Sequence, residues 1–159
     1  MGPSMETDVS LTQTVYTITR GGHQPSLPAY RGRSMHDELA IHRVLARYCH
    51  TIDDGAFDEF AALWAVDAEF VLYGEVTRGR DAIRDAIAAM QPPERRGRHL
   101  TINAVVDIRG DAASAVSDFL FFHREPDAPV ELRFIGRYHD ELVRSDVGWQ
   151  FGRREIHFF

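Results

Sequence analysis

The amino-acid sequence predicts an α+β fold, in which three N-terminal helices lie across the concave side of a curved antiparallel sheet. Segments with the apolar spacing of amphipathic helices come first, and four long segments of alternating residues, separated by turn residues, follow. Helices that precede the strands, instead of alternating with them, are typical of α+β domains. Because long antiparallel strands twist and curl, we expect a cone with an internal pocket.

An N-terminal extension is predicted over residues 1–34, followed by one domain over residues 35–159. A chain of 159 residues suits a single domain. The extension is polar at its start and rich in glycine and proline near its end, so we expect it to be flexible. Its β-branched stretch from Val9 to Thr19 leaves open that it packs on the domain or on a neighbouring chain.

Three helices and a strand are expected next. Ser34 is predicted to cap the first helix and Asp54-Gly55 to end it, with Asp54 capping the second helix. A strand is expected over Ala68–Tyr73 and a third helix over Gly79–Met90. The apolar stripe of the first helix consists of Ile41, Val44, Leu45, Tyr48, Cys49 and Ile52, and the second helix directs Phe57, Phe60, Ala61 and Trp64 inward.

Four alternating strands complete the predicted fold: His99–Arg109, Ala112–Glu125, Val130–Arg144 and Trp149–Phe158. Strict alternation along the first of them gives one face with polar groups spaced to line a cavity, formed by His99, Thr101, Asn103 and Val105. The other face is apolar and consists of Leu100, Ile102, Ala104 and Val106. An apolar patch of that size is not expected to stay in water, so we predict a homo-oligomer that buries it.

Composition excludes several classes of function. The formal charge of −6 argues against nucleic-acid binding, and no apolar segment is long enough to cross a membrane. All 18 basic residues are arginine, which excludes a lysine Schiff base, a pyridoxal-phosphate enzyme and a P-loop lysine. A single cysteine, Cys49, forms no internal disulfide, so a cytoplasmic location is expected. We expect no cofactor and no metal, although a facial triad of His99, His123 and a carboxylate is an alternative.

Asp53 and His99 are the first candidates for chemistry. Asp53 continues the buried stripe of the first helix, where an unpaired carboxylate is costly, and His99 lies on the polar face of its strand. His123 shares a strand face with Phe119 and Phe121. Simpler interpretations stay open: a solvent-facing aspartate at a helix end, a solvated strand face and a structural histidine.

Two further side chains are candidates for contact with a ligand. Tyr48 lies inside the apolar stripe, where its hydroxyl needs a partner. Arg154 follows Gly152 on one face of the last strand, so that there is room beside it, but it is equally compatible with a surface charge.

The chain resembles SnoaL-like proteins of the nuclear-transport-factor-2-like superfamily. The resemblance covers residues 36–158, and it rests on the order and spacing of motifs that are individually weak. These are Ile41 to Tyr48 followed by Asp53-Asp54-Gly55, Asp67 to Phe70, Gly79 to Arg84, Arg98-His99 followed by Asn103, Gly136 to Asp140, and Gly148-Trp149 leading to Arg153-Arg154.

The resemblance implies a deep apolar pocket, dimers or trimers formed through the sheet, and an Asp–His dyad that works without a cofactor. The most similar branch includes scytalone dehydratase, bile-acid 7α-dehydratase and lindane dehydrochlorinase. By this resemblance Asp53 and His99 form the dyad, Tyr48 is the catalytic tyrosine, and His123 is a second pocket histidine. Arg154 matches a pocket arginine.

The leading hypothesis is therefore a lyase or isomerase, similar to a dehydratase, that abstracts a proton from a hydrophobic cyclic small molecule. Asn103 and Arg154 are expected to orient the substrate, and Phe119, Phe121, Trp64 and Tyr138 to form the pocket walls. The alternatives are a non-catalytic ligand-binding protein or the small subunit of a ring-hydroxylating dioxygenase, and a polyketide cyclase.

Overall fold

The computed structural model describes residues 32–125 and 127–159. The expected extension, including the candidate strand Val9–Thr19, thus lies almost entirely outside the described residues. The described chain forms three α-helices, α1 (Gly32–Asp54), α2 (Phe57–Ala61) and α3 (Arg80–Met90), and a 3-10 turn, Pro93–Arg95. Its six strands are β1 (Trp64–Leu72), β2 (Glu75–Arg78), β3 (Arg98–Arg109), β4 (Ala112–His123), β5 (Glu131–Ser145) and β6 (Gly148–Phe158).

The strands form one curved, open sheet in the order β2-β1-β6-β5-β4-β3. The predicted α+β class is confirmed, but the sheet is mixed and not wholly antiparallel. β1 runs parallel to β6, with Phe70 opposite Arg154. Pairing between the first and last strands joins distant parts of the chain, so no local pattern in the sequence indicates it. The four-residue β2, which pairs with β1, is too short to show an alternation.

The helix boundaries differ from the predicted caps. Ser34, the predicted N-cap position, lies within α1, which begins at Gly32. The N-cap of α2 is Ala56, with no side-chain cap hydrogen bond, so Asp54 does not cap that helix. Asp54 instead ends α1 and accepts a hydrogen bond from Arg98 at 3.4 Å. No helix in the described ranges has the length and apolarity needed to span a bilayer.

A β-bulge in β3 corrects the predicted assignment of its faces. The register with β4 shifts between Ile102 and Val105, and Asn103 has a positive φ of 54°. The extra residue reverses the alternation. His99 and Thr101 face the interior as predicted, whereas beyond the bulge the inner residues are Ala104, Val106 and Ile108. Leu100, Ile102 and Val105 are exposed on the outer face.

The core lies between the concave face of the sheet and the helices. The whole predicted stripe of α1 is buried, because its i, i+3, i+4 spacing keeps those side chains on the side that meets the sheet. Trp64 is fully buried and packs against Tyr48, Phe60 and Phe151, with ring centroids 5.0–6.3 Å apart. This aromatic cluster fills the cone beside a cavity and closes one side of it.

Candidate active site

A cavity of about 230 Å³ opens between α1, α3 and the concave face of the sheet. Its walls are mostly apolar and aromatic, which is typical of sites for small organic ligands. The lining residues are Tyr48, Ile52, Phe70, Leu72, Tyr73, Ile87, Met90, Gln91, His99, Phe119, Phe121, Phe134, Tyr138, Ile156 and Phe158.

Asp53 and His99 meet at one side of this cavity. Asp53 lies on the last turn of α1, and its Oδ1 is 2.5 Å from Nδ1 of His99. Its Oδ2 accepts a hydrogen bond from the backbone N–H of His99 at 2.9 Å. Both side chains are nearly enclosed, with exposed fractions of 5% for Asp53 and 10% for His99. One carboxylate therefore holds both the main chain and the ring of His99.

This contact sets the roles of the two ring nitrogens. An ionised carboxylate only accepts hydrogen bonds, so Nδ1 is the protonated nitrogen of a neutral His99 ring. Nε2 has no hydrogen-bond partner among the described residues. The ring of Phe121, with its centroid 4.4 Å from that of His99, packs beside the imidazole. The free lone pair on Nε2 is thus available to a ligand in the cavity.

Tyr48 supplies a second polar group to the same cavity. It is buried on α1 five residues before Asp53, and burial raises the pKa of Tyr48 to about 12, although the nearby Arg154 opposes the rise. At neutral pH the Tyr48 hydroxyl is therefore protonated. It is suited to donate a hydrogen bond to an oxygen atom, and it is not suited to act as a base.

Arg154 lies beneath the cavity and does not line it. Its side chain is wholly enclosed and makes a bidentate ion pair with Asp140, with both N–O distances at 2.7 Å. The rings of Tyr48, Tyr138 and Phe151 surround the guanidinium at 4.0–4.3 Å. Burial lowers the pKa of Arg154, but Asp140 outweighs burial, and the pKa lies above its ordinary value. Nη1 is buried without a partner among the described residues. We find no direct access from Arg154 to a ligand, contrary to the substrate-orienting role expected for it.

The structure separates three other predicted residues from the cavity. His123 is buried beside it, and its Nε2 donates to the carbonyl oxygen of Glu94 at 3.0 Å. Asn103, at the bulge, donates to Asp118 at 3.1 Å and does not line the cavity, because the bulge disturbs the alternation there. Trp64 belongs to the core cluster and does not line the cavity. Phe119, Phe121 and Tyr138 do line it, as expected.

Several cavity residues were not identified from the sequence. Phe134 and Phe158 face the cavity from the start of β5 and the end of β6, and Tyr73 contributes from the turn between β1 and β2. Alternation on the last strand would have indicated Phe158, which is two residues from Ile156 on the same face. Tyr73 has no such signal. Within residues 32–125 and 127–159, no three histidine, cysteine or acidic side chains cluster in a way that would hold a metal ion.

A family model for the SnoaL-like domain matches residues 33–155 of this sequence. The chain belongs to this family. No curated protein matches the sequence. Solved structures that are similar in fold include three that align with about four fifths of this chain.

A variant of the protein Rv3472 from Mycobacterium tuberculosis, whose function is unknown, is 28% identical with a TM-score of 0.75, over 80% of this chain and 74% of that one. A candidate scytalone dehydratase from Novosphingobium aromaticivorans is 27% identical with a TM-score of 0.70, over 79% and 85% of the two chains. A candidate aromatic ring hydroxylase from the same organism is 25% identical with a TM-score of 0.70, over 79% and 90%. These similarities support the predicted superfamily and its cystatin-like, or nuclear-transport-factor-2-like, architecture.

Proposed function

We propose that this SnoaL-like protein is a cofactor-independent lyase or isomerase that removes a proton from a carbon atom next to a carbonyl group in a hydrophobic cyclic molecule. The observation that carries the proposal is the contact between Asp53 and His99, which leaves Nε2 of His99 free beside an apolar cavity. Membership of a family that includes many dehydratases and cyclases, and similarity to a candidate scytalone dehydratase, support it.

In the proposed mechanism, Nε2 of His99 accepts the proton and the ring becomes an imidazolium ion. Asp53 stabilises that ion through its hydrogen bond to Nδ1–H and keeps the ring in the tautomer that a base requires. The electron pair left by the C–H bond moves toward the carbonyl oxygen, and the Tyr48 hydroxyl donates a hydrogen bond to the negative charge that develops there.

The imidazolium then returns its proton, and the destination of the proton determines the reaction. In a dehydration, the electron pair returns from the carbonyl oxygen to form a carbon–carbon double bond, the C–O bond on the neighbouring carbon breaks, and the proton goes to the departing hydroxyl group as water. In an isomerisation, the electron pair returns to form a bond between another carbon and the delivered proton. As the second pocket histidine that the resemblance implies, His123 is one candidate donor of this proton. Because His123 does not line the cavity and its Nε2 is bonded to a backbone carbonyl, we assign the return step to His99 itself.

Hydrogen–deuterium exchange tests the first step without knowledge of the natural substrate. The full chain is incubated with the cyclic ketone 1-tetralone in D₂O, and exchange at the carbon next to the carbonyl is followed by NMR. We expect the protein to accelerate exchange and His99→Gln to return it to the buffer rate. In Asp53→Asn the amide N–H₂ meets Nδ1 of His99, which favours the opposite tautomer of the ring. We therefore expect the catalysed exchange rate to fall by about a thousandfold or more.

A matched control is available one residue away. Asp54→Asn makes the same change of charge at an exposed carboxylate that pairs with Arg98 at 3.4 Å and does not line the cavity. We expect this variant to exchange 1-tetralone at the rate of the unaltered chain. Equal losses in Asp53→Asn and Asp54→Asn would contradict a specific role for the dyad.

The second candidate function is ligand binding without catalysis, as in the small subunit of a ring-hydroxylating dioxygenase. The similarity to a candidate aromatic ring hydroxylase favours it. This function predicts that the isolated chain binds 1-tetralone but leaves its exchange rate at the buffer value, in the unaltered chain as well as in the variants.

A further inference from the structure

The mouth of the cavity is built from aromatic side chains. The ring of Tyr73 is stacked on that of Phe158, with centroids 5.1 Å apart and planes 17° apart. Phe158 in turn contacts the edges of Phe119 and Phe134, at centroid distances of 5.7 and 5.6 Å. Tyr73 lines the cavity although 76% of its surface is exposed. One face of the Tyr73 ring therefore rests on Phe158 while much of its surface remains open.

The backbone of Tyr73 has a conformation that tyrosine rarely adopts. Its φ is 52°, and Gly74, the second residue of this two-residue hairpin turn, has a φ of 82°. Positive φ at both positions is the pattern of a type I′ turn, in which asparagine followed by glycine is strongly preferred. A bulky aromatic residue with positive φ is an outlier that the surrounding structure must stabilise. The turn alone therefore does not explain a tyrosine at this position.

We propose that Tyr73 is a specificity-determining residue, whose ring forms with Phe158 a subsite for a planar aromatic part of the substrate. The inference rests on the proposed function in taking the cavity as the substrate site. A flat ring makes contact over the whole open face of an aromatic side chain, whereas a puckered saturated ring does so only at a few atoms. The subsite thus selects substrates in which the reacting ring is fused or attached to an aromatic one.

Isothermal titration calorimetry with a matched pair of probes tests the subsite. The planar probe is 2-naphthol, and its saturated counterpart is decahydro-2-naphthol. From the usual strength of an aromatic pair, we expect Tyr73→Asn to weaken binding of 2-naphthol about five- to tenfold and to change binding of the saturated probe less than about twofold. Tyr73→Phe keeps the ring and is expected to bind both probes as the unaltered chain does.

Two further variants complete the design. Phe158→Leu removes the other ring of the subsite and is expected to reduce the preference for 2-naphthol in the same way, which keeps the test valid if Tyr73→Asn folds poorly. Val147→Asn is the control, because Val147 lies exposed in the turn between β5 and β6 and does not line this cavity. We expect Val147→Asn to leave both affinities unchanged and Tyr73→Asn to keep its melting temperature, since asparagine suits the turn.

The proposal is overturned if 2-naphthol does not bind the unaltered chain. It is also overturned if Tyr73→Asn and Phe158→Leu weaken the binding of both probes equally, or weaken the binding of neither. Comparing these titrations with the exchange of 1-tetralone by the unaltered chain separates the two proposals. If the unaltered chain prefers 2-naphthol to the saturated probe but does not exchange 1-tetralone, the proposed catalysis is wrong and the proposed subsite stands. If the unaltered chain exchanges 1-tetralone but does not prefer 2-naphthol, only the proposed subsite is wrong.

Discussion

Replacement of Arg154 by methionine tests how the floor of the cone is stabilised. The guanidinium and the Asp140 carboxylate form two contacts of 2.7 Å, and neither side chain is exposed. Arg154→Met leaves the Asp140 carboxylate buried without its partner. Breaking a buried ion pair in this way typically costs about 3–5 kcal/mol. For a domain of this size we therefore expect the melting temperature to fall by on the order of 10 °C.

The double variant Arg154→Met with Asp140→Leu separates the cost of an orphaned charge from the value of the pair. Removing both charges also removes the unpartnered Nη1, and the methionine sulfur packs well among aromatic rings. Hydrophobic replacement of a whole buried pair is often neutral, so we expect the double variant to recover most of the lost stability, to within about 1–2 kcal/mol of the unaltered chain.

Thermal and urea unfolding at pH 7 of the unaltered chain, both single variants and the double variant give the coupling free energy between the two residues. The reasoning is refuted if the double variant is no more stable than the weaker single variant. That result would mean that the contacts of the guanidinium with Tyr48, Tyr138 and Phe151, and not the ion pair, stabilise this part of the core.

Two further predictions concern alkaline pH and assembly. The pKa of Tyr48 is raised by burial from 10.0 to about 12, so the folded state favours the neutral phenol. The resulting contribution to the free energy of unfolding is complete below pH 10 and decreases by about 3 kcal/mol as the pH rises through the folded pKa. Urea unfolding between pH 8 and 12 measures this decrease. The prediction would be contradicted if the free energy of unfolding of Tyr48→Phe fell with pH as steeply as that of the unaltered chain. Exposed apolar residues on the outer face of β3, among them Leu100, Ile102 and Val105, support the predicted homodimer or homotrimer through the sheet. We expect sedimentation equilibrium to show that oligomer at micromolar concentration and Val105→Glu to dissociate it. Val66→Glu is a control on β1 at another exposed valine and is not expected to dissociate the oligomer. A monomeric unaltered chain would refute the prediction.

The sequence predicts those parts of the site that depend on local periodicity. The helical stripe that buries Tyr48 extends to Asp53, so the spacing predicted Tyr48 on the inner side of α1 and left Asp53 either there or facing solvent at the helix end; both are buried. His99 is the second residue of β3, and His99 and Thr101, which precede the bulge, follow simple alternation. The pairing of Asp53 with His99 itself needed the family resemblance, because spacing alone does not bring residues 46 positions apart together.

The remaining features depend on interactions between distant segments. A bulge adds one residue to a strand without any change in hydrophobic pattern that would mark it, so Asn103 was assigned to the wrong face. The family resemblance implied that His123 is a pocket histidine, whereas its place on the strand face of Phe121 left a structural role open. Its ring is held instead by the Glu94 carbonyl, which lies in the segment between α3 and β3. Arg154 looked like a candidate ligand contact because its partner Asp140 lies on a neighbouring strand whose register was unknown.

The double attachment of His99 to Asp53 has a consequence for folding. One carboxylate connects the end of α1 to both the backbone and the ring of His99, near the start of β3, so it ties the helical layer to the edge strand of the sheet. The tautomer of His99 that the proposed reaction needs is thus defined only once α1 has docked. The NMR signal of the Nδ1 proton would report on that docking, and its disappearance would mark any opening in which the helix leaves the sheet before the strands separate.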